Sequence, residues 1–267
     1  MNAVELKNVS FAYEPGHPVI NNLNLTFESG TATAIVGQNG AGKTTTVKLI
    51  NHLLRPTAGQ VLINGHDIAD KSTAEVSHEV GYSFQNPDDQ IFNNSIEKEI
   101  AFGPKRAGVS GEKLGQIVKH AAKMTGLADY LSEHPYNFPY SLRKFITIAS
   151  LIAMDPDIYI FDEPTAGQDY QSRARLIKII TQLKDSGKCV IVITHDMEFV
   201  AENFKRVIVL SKHHVLEDDT PQKVFVNDKV MADANIDAPQ VIQIARSLSV
   251  SEDNIPLTVS QLIENIL

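Results

Sequence analysis

Short apolar runs punctuate this chain. Residues 32–36, 158–161 and 190–193 are each almost wholly apolar. Continuous runs of that length predict strands covered on both faces, as in a parallel sheet with crossover helices. The first 30 residues have a different texture. Positions 4–11 and 23–27 largely alternate apolar with polar, which predicts half-exposed antiparallel strands. Between about 88 and 154 the period lengthens to that of a helix. Leu114, Ile117, Val118 and Ala121 fall at i, i+3, i+4 and i+7, with Ser110 placed as an N-cap. Two further helical stripes close the chain. One is Val241, Ile244, Ala245 and Leu248; the other, after a break at Pro256, is Val259, Leu262, Ile263 and Ile266. Periodicity leaves two uses for these stripes open: packing on the chain's own core, or pairing with another subunit. Together the elements predict an α/β fold with a parallel sheet core, an antiparallel β part near the N-terminus, a helical middle and a helical tail.

Composition narrows the function classes. The chain has 267 residues, enough for one domain or two. Hydrophobic residues are 43% and charged residues 21%, the mix of a folded globular protein rather than a disordered one. With 24 Lys and Arg against 32 Asp and Glu the net charge is -8, so a nucleic-acid partner is not expected. The single cysteine, Cys189, excludes an internal disulfide and any multi-cysteine zinc site. At the mouth of an apolar run it reads as a small buried thiol. The first residues show no basic stretch followed by an apolar one, and no run of about 18 apolar residues occurs, so a soluble intracellular chain is expected.

The strongest chemical signal follows the run 32–36. Gly37-Gln38-Asn39-Gly40-Ala41-Gly42-Lys43-Thr44 has the spacing G-x-x-x-x-G-K-[ST], and a helical stretch with Val47, Leu49 and Ile50 comes next. Glycines let backbone N–H groups curl around phosphate oxygens with no Cβ in the way. The helix N-terminus adds partial positive charge beneath the same anion. Lys43 is expected to reach the β and γ phosphates, and the Thr44 hydroxyl to bind Mg²⁺.

A phosphate loop needs a carboxylate for the metal. Asp162 closes the run that starts at Ile158, and Glu163 follows at once. Ligands of open α/β sheets bind at that C-terminal strand edge. An Asp on the metal beside a Glu that polarises water is a hydrolysis arrangement. His195 ends the next apolar run, at the expected same edge, where it could bond a γ-phosphate or the attacking water. The adjacent His213 and His214 read as a solvated turn without function.

Taken together these residues resemble the ATP-binding cassette (ABC) ATPases, over roughly residues 3–225. The resemblance implies a P-loop NTPase core, with residues 1–225 as the ATPase domain, a helical subdomain over about 88–154 and a C-terminal extension over 226–267. It implies that Gly37, Asn39, Gly40, Ala41, Gly42, Lys43, Thr44 and Thr45 hold ATP, while Tyr13 stacks on the adenine. It puts Mg²⁺ on Thr44, Gln85 and Asp162, makes Glu163, His195 and Gln85 the catalytic set, and gives Asp169 the acidic place in the loop after the catalytic Glu. Gln168 replaces that loop's customary leucine.

The stretch 85–92, followed by 99–104, is similar to the ATPase subunits of energy-coupling factor (ECF) importers of vitamins and metal ions. That likeness implies a second ATPase subunit, a transmembrane scaffold and, indirectly, a membrane capture subunit as partners. It also implies a location on the cytoplasmic face of the cell membrane, and a tail that helps the ATPases pair. One departure stands out. The family signature Leu-Ser-Gly-Gly-Gln falls on 138–142, with Pro139 at the serine, Tyr140 after it and Ser141 at the second glycine. Pro139 has neither a backbone N–H nor a hydroxyl, and Ser141 puts a Cβ where backbone must approach phosphate. Two other classes remain in view: an ABC ATPase acting on nucleic acid or ribosomes, and a regulatory subunit that binds ATP with little turnover.

Overall fold

A computed structural model describes residues 1–251 and 254–266. Strands β1 (Asn2–Glu14), β2 (His17–Glu28) and β3 (Ala32–Val36) lead into helix α1 (Lys43–Ile50). Strands β4 (Ala58–Ile63) and β5 (His66–Asp67), helix α2 (Thr73–Val76) and strand β6 (Val80–Ser83) follow. Helices α3 (Ile96–Arg106), α4 (Gly111–Thr125) and α5 (Tyr140–Met154) fill the middle. Then come β7 (Ile158–Asp162), α6 (Tyr170–Asp185), β8 (Cys189–Ile193), α7 (Met197–Asn203), β9 (Arg206–Ser211) and β10 (His214–Asp219). The tail holds α8 (Pro221–Val226), α9 (Asp228–Ala234), α10 (Gln240–Ser247) and α11 (Val259–Ile266). The three apolar runs are thus β3, β7 and β8, and 88–154 contains no strand among its described residues. No helix among the described residues is long and apolar enough to cross a membrane.

The chain divides into two compact units. The first comprises residue 1, 28–31 and 71–190. In it β6 and β7 are parallel neighbours, with Tyr82 opposite Ile160 and Ser83 opposite Phe161. All five residues of β7 are buried, as expected for a strand covered on both sides. Helices α3, α4 and α5 pack on one another, and α5 is buried almost continuously from Lys144 to Ala153. Ser110 occupies the N-cap of α4, but its side chain makes no capping bond. Val118 and Ala121 of the predicted stripe are buried, whereas Leu114 and Ile117 lie half-buried at its margin. Cys189, at the start of β8, is 1% exposed.

The second unit comprises 2–27, 32–70 and 191–267. It contains a four-stranded sheet in the order β2-β1-β4-β5, in which β1 and β4 run antiparallel with Val4 opposite Ile63 and Leu6 opposite Val61. It also contains the order β10-β9-β3-β8, with β3 and β9 parallel and β10 antiparallel on β9. Parallel strands with an antiparallel edge and flanking helices confirm the α/β expectation. The tail belongs to this unit. Helix α9 buries Val230, Met231 and Ala234, and the Ser211 hydroxyl of β9 donates to the Asp233 carbonyl at 2.8 Å. The two tail stripes are helical but divided. Helix α10 buries Val241, Ile242 and Ala245, while Ile244 and Leu248 stay 49% and 53% exposed. Helix α11 buries Leu262 and exposes Val259, Ile263 and Ile266. The buried face of α10 includes Ile242, outside the predicted stripe, and Arg246 near the helix end bonds the Val226 carbonyl at 2.7 Å and Asp228 at 2.6 Å.

Candidate active site

In the second unit the chain leaves β3 at Val36 and enters the glycine loop. Gly37 has φ 140°, and a Cβ there would lie 2.0 Å from the Leu210 carbonyl oxygen of β9. Gly42 has φ 101°, and a Cβ would lie 2.7 Å from Ile20 Cδ1. Both conformations favour glycine, and at Gly37 the β9 backbone leaves no room for a Cβ. Lys43 opens α1 and is 6% exposed. Its ammonium donates back to the loop, to the Gly37 carbonyl at 2.6 Å and the Gln38 carbonyl at 3.0 Å. Asn39 and Gly40 are exposed at the loop's crest, Ala41 and Thr45 are buried, and Thr44 is half-buried. Tyr13 is 60% exposed; its hydroxyl lies 3.4 Å from Thr45 Oγ1, and its ring meets that of Phe11 in a T-shaped contact with centroids 4.8 Å apart. The Thr194 N–H donates to Ile35 of β3 at 3.4 Å, which brings the exposed His195 to the end of β3. This unit therefore gathers Tyr13, the phosphate loop and His195. His213 is more than a solvated turn residue: its Nδ1 donates to the Val19 carbonyl at 2.9 Å.

The first unit gathers the carboxylates. Asp162 and Glu163 are 3% and 8% exposed at the end of β7. The Tyr82 hydroxyl of β6 donates to Asp162 Oδ2 at 2.7 Å. Burial, and then the Asp162 charge, hold that hydroxyl far above the usual tyrosine range, so Tyr82 stays a donor. Glu163 adopts φ 50°, a left-handed conformation that a glutamate rarely takes. Gln85 is exposed two residues beyond β6, and Asp169 is exposed at the N-cap of α6. The Ser172 N–H at 2.8 Å holds the Asp169 carboxyl below the usual carboxylate range.

The stretch expected to carry the signature, 138–142, leads into α5. Pro139 is its N-cap, and the helix starts at Tyr140. The Tyr140 hydroxyl donates to the Gln85 carbonyl at 2.8 Å. The Gln168 amide donates to the Ser141 carbonyl at 3.0 Å. Arg143 pairs with Asp88 at 2.8 Å. Sequence reading missed two participants. Tyr82 carried no signal, because a tyrosine in a strand reads as packing. Lys144, just before an apolar helical run, has no role in that reading, yet it is 2% exposed.

A glycine cradle on a strand-to-helix turn, with a buried lysine at the helix start, defines a P-loop nucleotide-binding ATPase domain. The ABC transporter family profile matches residues 20–166. A protein of Methanocaldococcus jannaschii named energy-coupling factor transporter ATP-binding protein EcfA is 35% identical, over 100% of this chain and 98% of its own. A putative ABC transporter ATP-binding protein of Methanosarcina mazei is 38% identical over 98% of this chain. The chain spans only 45% of that relative's length, and 42% of a similar one from Methanosarcina acetivorans. Among solved structures, CbiO1 of Clostridium perfringens, described as part of the ABC transporter complex CbiONQ, superposes with a TM-score of 0.79 at 25% identity. That match covers 93% of this chain and 99% of CbiO1. The chain belongs to the ABC transporter family as an ATP-binding subunit, closely related to the EcfA and CbiO type of ECF ATPases.

Proposed function

We propose that this chain binds and hydrolyses ATP to power an ECF-type importer of a vitamin or metal ion. The observation that carries the reading is the phosphate loop, in which three glycines at positive φ, Gly37, Gly40 and Gly42, curl the backbone over a buried Lys43 that bonds the loop's own carbonyls. The full-length likeness to EcfA supplies the transport class. In this reading residues 1–225 are the ATPase domain, with a helical subdomain over about 88–154, and 226–267 are a pairing extension. The chain works at the cytoplasmic face of the membrane as a peripheral subunit. Its partners are a second, different ATPase chain, a transmembrane scaffold and, through the scaffold, a capture subunit; nucleic acid is not a partner.

The roles separate by chemistry. Gly37, Asn39, Gly40, Ala41, Gly42, Lys43, Thr44 and Thr45 hold the phosphates of ATP, and the exposed Tyr13 stacks on adenine. Thr44, Gln85 and Asp162 supply a hydroxyl, an amide oxygen and a carboxylate, a hard-oxygen set that suits Mg²⁺ together with phosphate oxygens. When bound, the ion neutralises charge on the phosphates. Glu163 takes the proton of the attacking water, and His195 donates to the γ-phosphate. A regulatory subunit with little turnover is the second reading, favoured by Pro139 and Ser141 in the signature stretch. Co-purification of the tagged chain with membrane proteins, followed by ATPase assay of the complex with and without Glu163→Gln, tests both. Turnover that depends on Glu163 supports the importer reading; a complex whose rate ignores it supports the regulatory one.

A further inference from the structure

Lys144 is a buried cation that the roles above leave without a task. It is 2% exposed on α5. Its Nζ donates to the main-chain carbonyl of Glu163 and lies 5.5 Å from the centre of the Tyr140 ring. Burial pulls the ammonium down to about 8, while the charges of Glu163 and Asp162 push it back up. Removing an ammonium from water is costly, and an apolar side chain of the same length would avoid that cost. Packing alone therefore does not account for a lysine here. The atom it binds suggests what does. Glu163 is held at φ 50°, an unfavourable conformation for a residue with a Cβ, and such conformations persist only where the surroundings over-determine them.

We propose that Lys144 is a positioning residue, whose ammonium clamps the Glu163 carbonyl in the left-handed turn and so fixes the direction in which the Glu163 carboxylate leaves the backbone. The inference rests on the reading of Glu163 as the base. The clamp is one member of a set. Tyr140, under the Lys144 ammonium, bonds the Gln85 carbonyl, Arg143 pairs with Asp88, and Gln168 bonds the Ser141 carbonyl. Side chains at the start of α5 thus tie the turn after β6 and the turn after β7 to one helix end. Of the positions that depart from the family pattern, Tyr140 and Gln168 take part through their side chains, Gln168 by donating to the main-chain carbonyl of residue 141. The altered signature stretch therefore has a task inside its own subunit, which is to hold Gln85 and Glu163 in register.

The test compares Lys144→Met with Lys144→Gln in the full chain, assayed with the subunits that co-purify with it. Methionine keeps the length and removes the donor; glutamine keeps a shorter, neutral donor. For Lys144→Met the expected result is a kcat at least tenfold lower, a KM for ATP within twofold of the parent, and an unchanged or higher Tm. Lys144→Gln is expected to fall between. A normal kcat for Lys144→Met overturns the inference, and so does a parallel loss of kcat, KM and Tm, which a merely structural residue would give. If Lys144→Met does not fold, Lys144→Gln decides by the same criteria, and failure of both to fold also overturns it. Glu163→Gln is assayed alongside. If that variant turns over normally, the reading of Glu163 has failed; if it is inactive while Lys144→Met is normal, the clamp alone has failed.

Discussion

The Lys43 ammonium lies 2.6 Å from the carbonyl of Gly37, six residues before it. The lysine thus closes the loop on itself, and its charge is already in place at the loop's base. In the role proposed for Lys43, bound ATP would exchange these carbonyl partners for phosphate oxygens, which make stronger charge-assisted bonds. Lys43→Ala is therefore expected to raise the Kd for ATP at least tenfold, or about 1.4 kcal/mol. Titration calorimetry on the full chain measures it, and an unchanged Kd refutes the role.

Gly37→Ala asks a different question of the same loop. The added methyl would sit 2.0 Å from the Leu210 carbonyl, and the φ of 140° disfavours alanine independently. Backbone rather than a flexible side chain stands in the way, so β9 or the loop must move. A loss of about 2–4 kcal/mol in unfolding free energy is expected, in the range of severe single substitutions. Urea unfolding followed by circular dichroism reads it, and a loss below about 0.5 kcal/mol contradicts the geometry.

Lys144 gives a pH signature of stability. Burial lowers its folded-state value from 10.5 to about 8. Between those two values the unfolded chain binds the proton and the folded chain does not, so this group makes stability rise with pH. Its destabilising contribution is complete below about 8 and is lost as pH climbs towards 10.5. Lys144→Met is then expected to exceed the parent in stability at pH 7, by an amount that shrinks by pH 10. Paired urea titrations at the two pH values measure the difference; a gap that widens with pH contradicts the assignment.

The elements and the phosphate loop were legible because their causes are local. Residues 32–36 are apolar and end at Gly37, and β3 occupies that run without adjustment. Asp162 was legible from its place at the end of an apolar strand. Pairings between distant segments were not. Nothing near Tyr82 announces that β6 lies beside β7 and brings its hydroxyl to Asp162. Nothing near Lys144 announces a carbonyl 19 residues onward. The tail failed for a related reason. A helical stripe gives the apolar positions but not which of them the fold covers, and in α10 the buried face includes Ile242, outside the predicted stripe.

That divided tail shapes the test of subunit pairing. Val230, Met231 and Ala234 are buried in the second unit, so truncation after residue 225 would remove core along with any interface. Substitution of the exposed face is cleaner. Ile244, Leu248, Ile263 and Ile266 are 49%, 53%, 51% and 55% exposed, and replacing them with aspartate leaves the buried residues in place. If the extension pairs subunits, Ile244→Asp with Ile263→Asp shifts the complex to monomer in light scattering, with Tm within about 2 °C of the parent. Unchanged mass refutes pairing through this face.

The last prediction concerns asymmetry between two ATP sites. By resemblance, ABC ATPases hold nucleotide head to tail, each site joining one subunit's phosphate loop to the other's signature. In this chain Lys43, Asp162, Glu163 and His195 are all present, but the signature stretch carries Pro139 and Ser141 and starts a helix at Tyr140. ATP on this chain's loop would meet the partner's signature; ATP on the partner's loop would meet Pro139, which has no N–H to offer. Donors aimed at the γ-phosphate are worth the most in the transition state, so the second site should be the slower. A hundredfold difference between sites corresponds to about 2.7 kcal/mol. Glu163→Gln in this chain should then cost the heterodimer more turnover than the equivalent change in its partner. Rapid-quench assays on the two singly substituted complexes separate the sites. A greater loss from the partner's substitution, or brisk turnover by a homodimer of this chain, would show that Pro139 and Ser141 do not disable the signature. The tie from Tyr140 to Gln85 would then remain the main consequence of the altered stretch.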